Sequence, residues 1–347
     1  MTDERPGSMV ATGIGSLPHR QVDAAVRAVL SAFPGLPYWP QLPRRAPEEN
    51  MYRQFLTGMP GLVERNGSPA VPDWDQFWNE LGDLLARYTA GDDSPGAIPP
   101  ERAAGLWALA GQGERVGKAL GIKGQVTGPV SMGLSLPGPD GRPVLYDPRL
   151  MEALVSLLEL KVRWQERFLR QIHPMTLLFL DEPYLGTVGS AFYAYDARQA
   201  REWLDKVLGS ASGLTGIHCC ANTDWGMLLG LDIDVISFDA YSYFDNFALY
   251  VPALREFLER GGCIAWGIVP ADGEVIRRES AASLLERLKA QIDALVAAGL
   301  PQDRLVRQSL ITPSCGLGSL TVEDAETVLR VCGEVSRLAQ ERFPLRV

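Results

Sequence analysis

His218 and Cys220 stand two residues apart in "GIHCCANTDW", in a chain that has only three histidines and five cysteines. On an extended strand, residues two apart share a face, so these two side chains emerge together while Cys219 points the other way. An imidazole and a thiol at that spacing make a chelating pair. Zinc commonly takes four ligands drawn from Cys, His and carboxylate. Two further donors stand at the ends of later strand-like runs, Asp239 in "ISFDAY" and Cys315 in "TPSCGLGS". A site drawn from three strands lies in a cleft, unlike the paired CxxC knuckles of structural zinc. A thiol bound there loses its proton and keeps useful nucleophilicity. Cys219 and Cys220 also read as two small core residues at a strand end; Cys315 beside Gly316 favours metal. Asp239 has capping the following helix as its other role. Cys263 and Cys332 read as structural.

Two more segments carry polar groups at strand ends. "FLDEPYLG" places Asp181 and Glu182 where a strand meets a proline, and a carboxylate there either holds a substrate ammonium or caps a helix. "TGIGSLPHR" sets glycines where backbone amides can approach a carboxylate, with Ser16 as a further donor and Pro18 ready to start a helix. His19 reads as a surface residue of that helix.

The elements that must position these groups alternate. Eight strand-like runs recur: "MVATGIGS", "LPYWPQL", "GIKGQVTGP", "TLLFLDEP", "GLTGIHCC", "IDVISFDAY", "CIAWGIVP" and "LVRQSLITPSCG". Helical periodicity fills residues 148–172, 196–209, 247–260, 279–299 and 322–341. Strand alternating with helix implies a parallel sheet with helical crossovers, and eight units imply a single (β/α)8 TIM barrel over residues 1–347. Reactive residues of such a barrel sit at the carboxyl ends of strands, where Ser16, Gln125, Asp181, His218, Cys220, Asp239 and Cys315 fall. Residues 44–120, between the second and third strands, exceed one crossover helix and read as a helical elaboration over the barrel mouth.

A net charge of -9 argues against nucleic acid, since no basic stripe is present. The N-terminus lacks the basic patch and apolar run of a secretory signal, and no apolar run reaches membrane-spanning length, so a cytoplasmic protein is expected. An odd number of cysteines in a long chain implies reduced thiols.

With these residues in place, the sequence resembles the catalytic barrel of cobalamin-independent methionine synthase, within the uroporphyrinogen decarboxylase and methionine synthase-like superfamily. "IGSLP", "DEP", "HCC", "SFDAY" and "CGL" occur in the family's order and span nearly the whole chain. The resemblance implies that His218, Cys220 and Cys315 ligate Zn2+, with Asp239 where the family usually has Glu. It also implies that Ser16 and Asp181 bind the amino-acid part of L-homocysteine, and it matches Glu49 in "RRAPEENMYRQF" to an acidic residue that contacts the amine.

The departures concern the methyl donor. The family's additional N-terminal barrel has no room here, Ser131 and Met132 follow "GPV" where the family has a tryptophan that stacks on folate, and "WGIVPADGE" lacks the family's proton-donating histidine. The sequence is similar to the short, core-type methionine synthases, for which methylcobalamin or a methylated corrinoid protein is the implied donor. The expected function is zinc-dependent methyl transfer to homocysteine. Two alternatives stand beside it: a methylcobamide methyltransferase acting on another thiol such as coenzyme M, and a non-catalytic zinc- or thiol-binding barrel.

Overall fold

A computed structural model of the chain describes residues 7–71, 73–187 and 196–344. Nine strands are defined among these residues: β1 (Val10–Ala11), β2 (Val63–Arg65), β3 (Ser68–Ala70), β4 (Ile122–Thr127), β5 (Thr176–Asp181), β6 (Leu214–Cys219), β7 (Val235–Phe238), β8 (Cys263–Val269) and β9 (Ser309–Pro313). β2 and β3 pair as a separate antiparallel hairpin about Asn66 and Gly67, both with positive φ as an Asn-Gly turn requires, a signal the sequence reading above does not use. The other seven form one parallel sheet in the order β1-β9-β8-β7-β6-β5-β4, curled into a half-barrel.

Seven of the eight expected strand runs thus enter the sheet, and the second does not. "LPYWPQL" contributes only isolated parallel bridges, Tyr38 to Lys123 and Ser16 to Gln41. Pro37 and Pro40 have no backbone N–H to give a ladder, so a continuous strand cannot run between β1 and β4. Side chains cover the edge that is left. The amide of Gln165 accepts from Gln125 N (3.0 Å) and donates to Gln125 O (3.1 Å), taking the place of a neighbouring strand. Gly124 makes room for it, because a Cβ there would lie 2.1 Å from Gln165 Oε1.

The sheet has two dissimilar faces. Its outer face packs into the main core, covered by helices that include Pro148–Arg170, Ala197–Leu208, Ala281–Ala297 and Val322–Arg342. Its inner face holds a smaller cluster of Leu36, Leu177, Phe179, Val235, Cys263, Ala265 and Leu310. Because strand residues alternate, those inward positions continue toward the carboxyl ends as Asp181 after Phe179, Ser237 and Asp239 after Val235, and Thr312 after Leu310. The inner face therefore grades from apolar to polar along the strands.

The 44–120 elaboration begins at the carboxyl end of the sheet, where Thr127 Oγ1 donates to Met51 O. Its longest helix, Trp74–Thr89, lies against the outer helix Pro148–Arg170, with Tyr88 donating to Glu159 at 2.6 Å. No helix among the described residues is long and apolar enough to cross a membrane.

Candidate active site

Register puts the polar inward positions side by side. Thr127 pairs with Asp181 across β4 and β5, Asp181 with His218 across β5 and β6, and His218 with Ser237 across β6 and β7. Neighbouring strands lie about 4.8 Å apart, so this row brings a hydroxyl, a carboxylate, an imidazole and a second hydroxyl within reach of one ligand.

Cys220 follows the last residue of β6, and Cys315 lies two residues beyond β9. A ring nitrogen of His218 and the Sγ atoms of Cys220 and Cys315 all lie within 4.8 Å of one another. His218 Nδ1 is engaged by the hydroxyl of Ser237 at 2.9 Å, while Nε2 is buried without a partner. A buried ring nitrogen is seldom left unpaired. Its setting is that of a metal-ligating histidine, one nitrogen oriented by a hydrogen bond and the other presented to the ion. The donor set of one nitrogen and two sulfurs suits zinc. Donation from Cys220, with His218 close by, draws Cys315 well below the ordinary thiol range, while the same hydrogen bond and burial push Cys220 above it.

Asp181 is buried, and its Oδ1 has no partner. Burial raises its pKa to about 6, opposed by the positive charge of Lys123. Its neighbour Glu182 is fully engaged. Glu182 accepts from Val130 N, Ser131 N and Ser131 Oγ at 2.6 to 2.9 Å, at the start of the helix Pro129–Ser135. The two readings of the "DEP" carboxylates are thus divided between them: Glu182 caps, and Asp181 keeps a free oxygen.

The remaining expected residues fall elsewhere. Asp239 does not join the cysteine–histidine cluster; its carboxylate accepts from Ser242 N (2.9 Å) as cap of the helix Ala240–Phe247. Glu49 is buried with both oxygens occupied, by Arg45 (2.6 Å) and by Leu42 N (3.2 Å). Ser16 meets the Cys315 turn: its carbonyl accepts from Leu317 N (2.8 Å) and its hydroxyl from Gly318 N (3.2 Å). His19 is buried and not on the surface, held by Glu326 at 3.1 Å.

Three residues at the site escaped the sequence reading. Ser237 could have been found, since it lies two before Asp239 on the same face of "ISFDAY". Lys123 also carried a signal, as a lone charge inside the otherwise uncharged run "GIKGQVTGP". Tyr52 carried none. It pairs with Tyr184 at 5.9 Å, and its phenol is held protonated first by burial and then by the charges of Tyr184, Glu182, Cys220 and Cys315.

No family model matches the sequence, and no curated protein matches it. Solved structures do match the fold. A B12-independent methionine synthase from a Shewanella species, in complex with selenomethionine, superposes with a TM-score of 0.61 at 12% identity over 97% of this chain and 99% of that one. A methyltransferase from Methanosarcina mazei gives 0.53 at 13% identity over 96% and 95% of the two chains. At these identities the likeness is one of fold, and it covers both chains nearly end to end.

Proposed function

We propose that the protein is a zinc-dependent S-methyltransferase that converts the thiol of L-homocysteine into the thioether of methionine. The reading takes the sheet as a (β/α)8 TIM barrel in one domain, with the 37–42 segment in the place of the second strand. One observation carries it: the unpaired Nε2 of His218 and the Sγ atoms of Cys220 and Cys315 converge from the carboxyl ends of β6 and β9, with the unpaired Oδ1 of Asp181 on β5, the register neighbour of His218. The fold shared with a methionine synthase and a methyltransferase supports the same class.

His218, Cys220 and Cys315 would hold zinc and leave a fourth position open. When bound, the ion supplies the Lewis acidity that lowers the pKa of a substrate thiol from its free value of about 8.5. The chain's own residues do the remainder. Ser237 fixes the ring of His218, Asp181 takes the substrate ammonium, and Ser16 holds the turn that carries Cys315. Glu49 shapes the mouth through Arg45, and Asp239 serves as a helix cap.

The donor in this reading is methylcobalamin or a methylated corrinoid protein. Ser131, at the position after "GPV", is buried against Glu182 and offers no aromatic face to a folate ring. Coenzyme M fits less well as acceptor, because a sulfonate brings no ammonium to Asp181. The test is methionine formation from homocysteine by the zinc-loaded protein, with methylcobalamin and methyltetrahydrofolate supplied separately. Product with methylcobalamin is expected. Product with folate alone would overturn the donor assignment, and no product with either or with a corrinoid protein would overturn the reaction.

A further inference from the structure

The gap in the sheet between β1 and β4 is crossed inside the barrel by one side chain. Lys123 is wholly buried, and its Nζ donates to Ile14 O at 2.6 Å and to Gln125 Oε1 at 3.4 Å, above the ring of Phe179 at 4.5 Å. Its backbone N–H meets Pro37 O at 2.9 Å, one of the few backbone bonds that the 37–42 segment makes with the sheet. Burying an ammonium is costly unless it is hydrogen-bonded, so a lysine here needs a structural return that an apolar residue would not give. Part of that return is the charge it sets against Asp181, and part is the fixed position of the Ile14 carbonyl.

Ile14 starts a short relay. Gly15 O accepts from Gln41 N at 3.1 Å, Ser16 O from Leu317 N at 2.8 Å, and Ser16 Oγ from Gly318 N at 3.2 Å. The turn that carries Cys315 is thereby docked on residues 14–16. The docking is close: a Cβ on Gly316 would lie 2.4 Å from Ser16 Oγ. His218 on β6 and Cys220 just after it stand three strands from β9 and have no part in this relay.

We propose that Lys123 is a positioning residue that sets Cys315 against Cys220 and His218, acting through Ile14 and Ser16 in place of the missing second-strand ladder. The proposal deepens the metal-site reading and rests on it for its functional consequence, while the placement of the thiols can be tested without metal.

Four proteins are compared: wild type, Lys123→Met, Ser16→Ala and Lys161→Met. Lys161 is the control, because it is equally buried but donates to the carbonyls of Pro95 and Ala97, outside the sheet. Two quantities are read, zinc affinity by competition with a chromophoric chelator and the yield of Cys220–Cys315 bridging by a short bifunctional thiol reagent in metal-free protein. Lys123→Met is expected to weaken zinc about 10–100-fold, as loss of an outer partner of a metal site does, and to lower the bridging yield. Ser16→Ala is expected to move both in the same direction by less, and Lys161→Met neither. Wild-type bridging in Lys123→Met, or an equal drop in Lys161→Met, would overturn the proposal. If Lys123→Met does not fold, Ser16→Ala decides, and wild-type bridging in it has the same force. Loss of bridging in Lys123→Met together with no zinc binding by the wild type would leave the thiol placement standing and overturn the metal reading instead.

Discussion

Lys161 and Lys123 are both wholly buried lysines, one outside the sheet and one within it. Lys161, on the helix Pro148–Arg170, reaches back to the carbonyls of Pro95 and Ala97 and ties the 44–120 elaboration to the outer layer. Lys123 lies among inward-facing side chains, one strand away from a carboxylate with a free oxygen. The surroundings of the two differ in the same sense. Polar groups near Lys161 pair among themselves, as Tyr88 and Arg163 do with Glu159. On the inner face, Asp181 Oδ1 and His218 Nε2 are register neighbours and neither has a partner. Other unpaired buried atoms, such as Trp225 Nε1 and Gln291 Oε1, belong to separate helices. Convergence on one face distinguishes a ligand site from ordinary packing defects, because each unpaired buried group costs about 1–3 kcal/mol.

The contrast can be broken most severely at the thiols. Cys315→Ser should abolish both tight zinc binding, measured by metal analysis after gel filtration, and methyl transfer, with a larger effect than the roughly 10–100-fold expected for an outer partner. Asp181→Asn removes the charge that the proposed reaction sets against the substrate ammonium. It should raise KM for homocysteine by about 10–100-fold, equivalent to the 1.5–3 kcal/mol of a hydrogen bond to a charged group, with zinc content unchanged. In the wild type, Asp181 protonates as pH falls through about 6, so KM should climb below that pH, and Asp181→Asn should lose this inflection. Ser237→Ala frees the ring of His218 and should weaken zinc about tenfold while the fold persists, as checked by chelator competition and circular dichroism.

The smallest effect on the site is expected from the outer lysine. Burial lowers the pKa of Lys161 to about 7, well under its ordinary value of 10.5. Across that window the unfolded chain binds more protons than the folded one, so stability should rise with pH above about 7. Lys161→Met should flatten this slope in urea titrations at pH 7 and pH 9 and leave zinc affinity untouched.

Much of this arrangement was legible in the sequence, because strand runs ending in unusual residues locate carboxyl ends without any knowledge of pairing. The spacing of His218 and Cys220 placed both on one face of β6, and Cys315 at the far end of the chain joined them. The second strand was misread since "LPYWPQL" has the apolar content of a strand, while its prolines deny it the ladder. Asp239 shows another limit. A carboxylate at a strand end reads equally as ligand or cap, and the bond from Ser242 N, which occupies Oδ1 alone, shows the cap without deciding the ligand. Ser237 and Lys123 meet partners far away in sequence, His218 and Ile14, and such partners emerge only when the fold is known.

The central claim is that His218, Cys220 and Cys315 hold zinc with a position left for the acceptor thiol. X-ray absorption at the zinc edge, recorded on the loaded protein with and without homocysteine, tests it most directly. The account predicts a nitrogen and sulfur shell that gains one sulfur on adding homocysteine. A shell that is unchanged by homocysteine would mark the site as closed and structural, and would contradict it.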